Sequence, residues 1–246
     1  MHHFFVKPKD INDGIITITG KDVKHITRSL RLDISDEISV ADGESNKYLT
    51  EIIDISEEFV RAKIIKEFEV KVESNIEVTL VQGLPKSKKM DLITQKCTEL
   101  GIREIIPVDT KRTVVNLKPK KAERRQQRWQ KIAREAAKQS GRAIIPIIKD
   151  LMTFKDILSL ASKYDLVLMP WEDEQSTKLK EVLTDNQEVN KIMIIIGPEG
   201  GFSKQEVELA KEEGIKPVTL GPRILRTETA GIATLSMILY ELGDLG

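Results

Sequence analysis

The 246-residue chain has a single cysteine, Cys97. One thiol excludes a disulfide framework and any multi-cysteine zinc site. Its place in the helical stretch 91–100 reads as a small buried apolar residue. Aromatic residues make up only 4% of the sequence, so the core has to come mainly from Ile, Val and Leu. The three histidines, His2, His3 and His25, lack companions at ligand spacing, and no metal is expected. No run of about 18 apolar residues and no signal-peptide pattern occurs, so a soluble, cytoplasmic protein without a membrane partner is expected. Net charge is absent too, because 39 Lys and Arg balance 39 Asp and Glu.

That balance hides a polarised molecule. Between Lys111 and Arg142 twelve basic residues face only Glu123 and Glu135, a local charge of +10. Between Glu172 and Asn190 six acids outweigh Lys178 and Lys180, leaving −4. At about 100° per residue, Lys121, Arg124, Arg128, Lys131, Arg134, Lys138 and Arg142 share one face of a long helix. Trp129, Ile132, Ala133 and Ala136 occupy the opposite, sheet-facing stripe. A solvated face laced with pairs such as Lys131–Glu135 is the plain alternative. So few acids leave most of these charges unpaired, which favours a polyanion as partner. Lys86, Lys88 and Lys89 extend the patch, and the scarcity of aromatics points to a folded RNA held by its backbone.

Segment rhythm divides the chain. In the first seventy residues, strands are predicted at 15–18, 37–40, 48–55 and 59–68, with one helix from Lys21 to Leu32. Hairpins at this spacing predict a small β-barrel, assigned to residues 1–72, and the charged stretch 69–75 reads as a linker. From Ile76 longer strand–helix units follow, assigned to residues 73–246. Strands are expected at 78–82, 104–108, 165–169 and 192–196, and helices at 88–100, 119–140 and 229–242. Ser203-Lys204-Gln205-Glu206 reads as a capping box opening a helix that ends at Gly214. The expected fold is α/β after an N-terminal β domain.

Two glycine-punctuated loops carry the chemistry. Gly197-Pro198-Glu199-Gly200-Gly201 follows the apolar run Ile192 to Ile196, and residues 220–231 follow Val218-Thr219. Each sits where a buried strand ends and a helix begins, the place where open α/β sheets bind ligands. The first loop lacks the Gly-Lys-Ser/Thr ending of a P-loop and the spacing of a dinucleotide fingerprint. Glycine still allows close backbone approach to a flat ligand, and Ile224 and Leu225 supply apolar walls. An adenosine-type ligand without phosphates suits that chemistry. Alone, the pentapeptide is an ordinary turn sequence.

Five ordered blocks carry a resemblance. They are Gln82-Gly83-Leu84-Pro85-Lys86 with Lys96-Cys97-Thr98-Glu99-Leu100-Gly101, residues 134–142, residues 196–203 and residues 220–230. Together they resemble the RsmE family, 16S ribosomal RNA uridine-N3 methyltransferases of the SPOUT class. The opening Met1-His2-His3-Phe4-Phe5-Val6 and residues 25–32 are similar to that family's PUA-like RNA-binding domain. The resemblance implies S-adenosylmethionine as methyl donor, a C-terminal SPOUT domain with a deep trefoil knot, and a homodimer with its active site at the subunit interface. It implies that Gly197, Glu199, Gly200, Leu220, Ile224, Leu225, Arg226 and Thr229 line the cofactor and reaction site. Arg226 is expected to stabilise the developing uracil anion, with Glu199 or Glu228 as proton acceptor. Arg28, Arg31, Lys86, Lys88, Arg112, Arg124, Arg128, Lys131, Arg134, Lys138 and Arg142 are the expected contacts to 16S rRNA of the small ribosomal subunit, near its decoding centre. A non-catalytic ribosome-assembly factor, or a SPOUT enzyme acting on another nucleotide, is the alternative reading.

Overall fold

The computed structural model describes residues 1–68, 72–115 and 117–245. The chain forms two compact units, Met1–Glu73 with Ala137–Ile145, and Ser74–Ala136 with Pro146–Gly246. The segment 137–145, given to the second domain by the sequence, thus packs in the first unit. Residues 69–71 of the expected linker lie outside the described residues.

The first unit is a six-stranded sheet ordered β1-β4-β5-β6-β3-β2. The strands are β1 (His3–Phe5), β2 (Ile11–Asn12), β3 (Ile15–Thr19), β4 (Glu37–Ala41), β5 (Lys47–Ile55) and β6 (Phe59–Phe68). Only β1 on β4 is parallel; the other pairs are antiparallel. Alternation along β3 and β4 turns Ile16, Ile18, Ile38 and Val40 into one core with Phe4, Ile52 and Val60. The helix expected over 21–32 is instead a short α1 (Lys21–Lys24) that widens into a π-turn at His25–Leu30. Thr27 donates its hydroxyl to the Val23 carbonyl (2.9 Å), a back-bond that bends helices, and Arg31 ends the turn at φ 56°. The wide turn buries both Val23 and Ile26.

Residues 137–145 join this unit for two reasons. Ala137 and Ala143 close an apolar cluster with Phe5 and Ala41. The Glu73 carboxylate accepts from Arg142 Nη2 (2.6 Å) and from the backbone N–H groups of Ala143 (2.9 Å) and Ile144 (3.1 Å).

The second unit is a parallel sheet ordered β10-β8-β7-β12-β11-β13, with β9 on β8. Its strands are β7 (Glu77–Gly83), β8 (Glu104–Asp109), β9 (Ile147–Ile148), β10 (Met152–Thr153), β11 (Leu166–Pro170), β12 (Lys191–Ile196) and β13 (Lys216–Val218). Helices α2 (Lys89–Leu100), α3 (Pro119–Gln139), α4 (Phe154–Leu160), α5 (Leu179–Thr184), α6 (Lys204–Glu212) and α7 (Thr227–Glu241) complete it. Both faces are covered, as continuous apolar strands require. Ile192, Ile194 and Ile196 pack in one core with α2, α3, α5 and α7. Met193 and Ile195 point into the other, with Phe154 and Ile157 of α4 and Val207 and Ala210 of α6. Cys97 is fully buried, and burial pushes its thiol up to about 12. The capping box forms as read, with Ser203 N–H donating to Glu206 Oε2 (2.8 Å) and Glu206 N–H to Ser203 Oγ (3.3 Å).

Candidate active site

The register between β7 and β12 brings Gln82 beside Ile196, so the ends of these strands lie together. A Cβ on Gly83 would sit 2.5 Å from the Pro198 nitrogen; only glycine permits this approach. Gln82, fully buried, donates from Nε2 to the Gly83 carbonyl (3.0 Å) and to Thr227 Oγ1 (2.8 Å). The Thr227 hydroxyl donates in turn to the Gly197 carbonyl (2.6 Å). One hydroxyl therefore ties the end of β7 and the first glycine loop to the start of α7.

Between the loops lies a cavity of about 990 Å³. Gly197, Glu199, Leu220, Ile224, Leu225 and Arg226 line it. Gly200 and Thr229 do not. The Gly200 carbonyl instead accepts from Arg112 Nη1 (2.8 Å), and the inward position of α7's first turn belongs to Thr227. Ile224 is 81% exposed on the rim. Arg226 precedes α7 with an exposed side chain.

The two candidate proton acceptors share one cation that the sequence assigned to the basic patch. Lys89 Nζ lies 3.0 Å from Glu199 Oε1 and 3.1 Å from Glu228 Oε2. The Glu228 oxygen is buried without an aligned hydrogen bond, so that second pair is electrostatic. Glu199 also accepts from the Lys86 backbone N–H (3.0 Å). Burial pulls its carboxyl upward, but its own backbone N–H, the Lys89 ammonium and the Lys86 N–H outweigh this and hold it below the ordinary range. Sequence reasoning missed Gln82, Thr227 and Lys89 as site residues. For Gln82 the available signal was an amide closing an apolar strand directly before a glycine.

The basic face is more paired than its composition predicts. Arg28, Arg31, Lys86, Lys88, Arg124 and Lys131 are exposed. Arg128 pairs with Asp91 (2.6 Å) and Lys138 with Asp22 (2.8 Å). Arg112 braces the glycine loop, and Arg134 is half-buried. Arg142 is only 3% exposed and is held by Glu73, so it is a structural cation rather than an RNA contact. Asp91 and Asp22 lie 37 and 116 positions before their partners, beyond any helix-face count. Among the described residues, no His, Cys, Asp and Glu side chains gather as a metal site, and no helix is long and apolar enough to cross a membrane.

The profile described as RNA methyltransferase domain matches residues 72–239, and that described as RNA methyltransferase PUA domain matches residues 18–65. Ribosomal RNA small subunit methyltransferase E of Bacillus subtilis is 34% identical over 229 residues, 92% of this chain and 90% of the relative. The chain belongs to the RsmE family. The Mesomycoplasma hyopneumoniae RsmE is 33% identical, covering 98% of this chain and 100% of its own. A crystal structure of the Neisseria gonorrhoeae RsmE bound to S-adenosyl methionine superposes with a TM-score of 0.89 at 30% identity, covering the whole of both chains. The β-sheet unit is thus the PUA-like domain of an RsmE protein, and the parallel-sheet unit is its methyltransferase domain.

Proposed function

We propose that the chain is an S-adenosylmethionine-dependent methyltransferase that acts on N3 of a uridine in 16S rRNA, near the decoding centre of the small subunit. The carrying observation is the 990 Å³ cavity built by two backbone loops at the carboxyl ends of parallel strands. The residues present fit the cofactor. A Cβ on Gly197 would lie 3.0 Å from Gly201, so glycine lets the first loop fold tightly on itself at the cavity wall, and Leu220, Ile224 and Leu225 give apolar surface. Of the lysines that line this cavity, Lys89 and Lys178 are paired with carboxylates and Lys180 is exposed. The glycine loop and the apolar wall suit an adenosine-type ligand.

The cofactor supplies an electrophilic methyl on its sulfonium. Uracil N3 carries a proton that must leave as the new C–N bond forms. Arg226, at the cavity edge, steadies the negative charge that develops on the uracil carbonyl oxygens. Glu199 or Glu228 takes the N3 proton and passes it to water, with Lys89 holding both carboxylates in place. Exposed Ile224, Met237 and Tyr240, on the second loop and α7, support a homodimer in which a second copy covers this edge. The chain's return to β12, which lies between β7 and β11, supports a trefoil knot of the SPOUT class. We place the enzyme in the cytoplasm.

Nucleoside mapping of ribosomal RNA from cells with and without the protein tests the assignment. Loss of N3-methyluridine is expected; an unchanged level overturns it. Calorimetry with S-adenosylmethionine tests the rival assembly factor, which predicts no binding. Arg226→Ala should abolish turnover and leave cofactor affinity within about threefold, and near wild-type rates would remove Arg226 from the mechanism.

A further inference from the structure

The PUA-like unit has a cavity of its own, about 340 Å³, lined among others by His3, His25, Lys47, Phe68 and Lys138. We infer that this cavity takes one unstacked nucleotide of single-stranded RNA, with its phosphate against Lys47. The inference rests on the RNA methyltransferase reading for the identity of the polymer and on the cavity's chemistry for the rest.

Lys47 sets the need for an anion. Its ammonium donates to the Gly141 carbonyl (2.9 Å) and stands 6.0 Å from the Phe68 ring centroid. Among the described residues, no carboxylate lies within ion-pair distance of it. The nearest acid acting on it is Glu73, whose oxygens are already taken by Arg142, Ala143 and Ile144. Burial accordingly pulls the Lys47 ammonium down from its usual range. Lys138 differs, being paired with Asp22 and lying 4.3 Å over the Phe4 ring.

The floor of the cavity is neutral. His3 Nε2–H donates to the Arg142 carbonyl (3.0 Å), and its Nδ1 accepts from the Ser39 hydroxyl (3.0 Å). Burial, with Lys47 and then Lys138, drives this imidazole down to about 4. The cavity therefore carries a positive field that no group on its floor cancels, and a concave wall concentrates such a field.

The rim supplies planar surface. Phe68 is half-buried, and His25 stands exposed on the π-turn, so a splayed base has rings to stack on. Exposed Arg28 and Arg31 follow His25 and extend a basic track beyond the cavity, which suits a polymer rather than a free nucleotide. The volume is at the lower end of ligand cavities, the size of one nucleotide rather than of a helix.

The test uses the full chain and a fluorescent single-stranded RNA of about ten nucleotides, read by anisotropy across a salt series. Lys47→Met should weaken binding about tenfold and lower the slope of log Kd against log salt by about 0.7, the share of one lost phosphate contact. Lys47→Arg should restore both. His25→Ala, at an exposed position of the π-turn, should weaken binding about threefold. RNA should also move the His3 imidazole NMR signals, and inorganic phosphate alone should not.

Unchanged affinity and slope in Lys47→Met and His25→Ala would overturn the inference. So would a full His3 response to phosphate alone, which would assign the cavity to a free anion. S-adenosylmethionine calorimetry on the same samples reports the other unit. Absent cofactor binding with Lys47-dependent RNA binding would sink the methyltransferase reading and keep the cavity.

Discussion

Thr227→Val removes one hydroxyl and keeps the side-chain volume. In the folded protein that hydroxyl accepts from Gln82 Nε2 and donates to the Gly197 carbonyl, and the residue is only 6% exposed. The substitution leaves one of the two Gln82 Nε2 hydrogens and the Gly197 carbonyl without partners, each costing about 1–3 kcal/mol. Valine recovers a little by its added methyl, so a net loss of about 2–4 kcal/mol is expected. For a unit of this size that corresponds to roughly 5–15 °C in Tm. Both tryptophans, Trp129 and Trp171, lie in the methyltransferase unit, so urea unfolding followed by their fluorescence reports it alone. Thr227→Ser keeps the hydroxyl and should cost under about 1 kcal/mol. A valine variant within about 0.5 kcal/mol of wild type would refute the tie between the loops.

Gly83→Ala forces a Cβ to 2.5 Å from Pro198, against backbone that cannot swing aside. A loss of about 3 kcal/mol or more is expected, with weakened S-adenosylmethionine binding by calorimetry. Lys89→Met takes away the cation shared by Glu199 and Glu228. The Glu199 carboxyl, depressed in the folded state, contributes stability above its unfolded value that is lost as pH falls through its folded value. The variant should raise the Glu199 pKa in a carbon-detected NMR titration and cost about 0.5–1 kcal/mol at pH 7. For His3 the sign is opposite in origin, because the folded imidazole is held neutral. The PUA-like unit should lose stability as pH falls from 6.5 to about 4, by about 3 kcal/mol in all. His3→Gln should flatten that dependence in acid unfolding curves.

Elements set by local pattern were legible in the sequence. The run Ile192 to Ile196 announces a strand buried on both faces, and Ser203 with Glu206 announces a helix start, because each signal lies within one element. Strands β9, β10 and β13, two or three residues long, carry no period to detect, and α4 and α5 span barely two turns. The glycine loops revealed the site because strand ends locate ligands in parallel sheets. Its internal bracing stayed hidden. Lys89 meets Glu199 across 110 positions and Gln82 meets Thr227 across 145, and only the folded chain brings those pairs together. The same reason explains Arg142, whose letter matched a basic stripe while its partner, Glu73, lay 69 positions earlier.

The segment 137–145 fixes an order of events during synthesis. The PUA-like sheet is complete in sequence by Phe68, yet its Phe5–Ala41 cluster and the Glu73 carboxylate wait for residues 137–145. A nascent chain must therefore emit β7, α2, β8 and most of α3 of the other unit before its N-terminal unit can close. A fragment cut at Glu73 leaves the ribosome with an open apolar seam and a carboxylate whose cation has not been made.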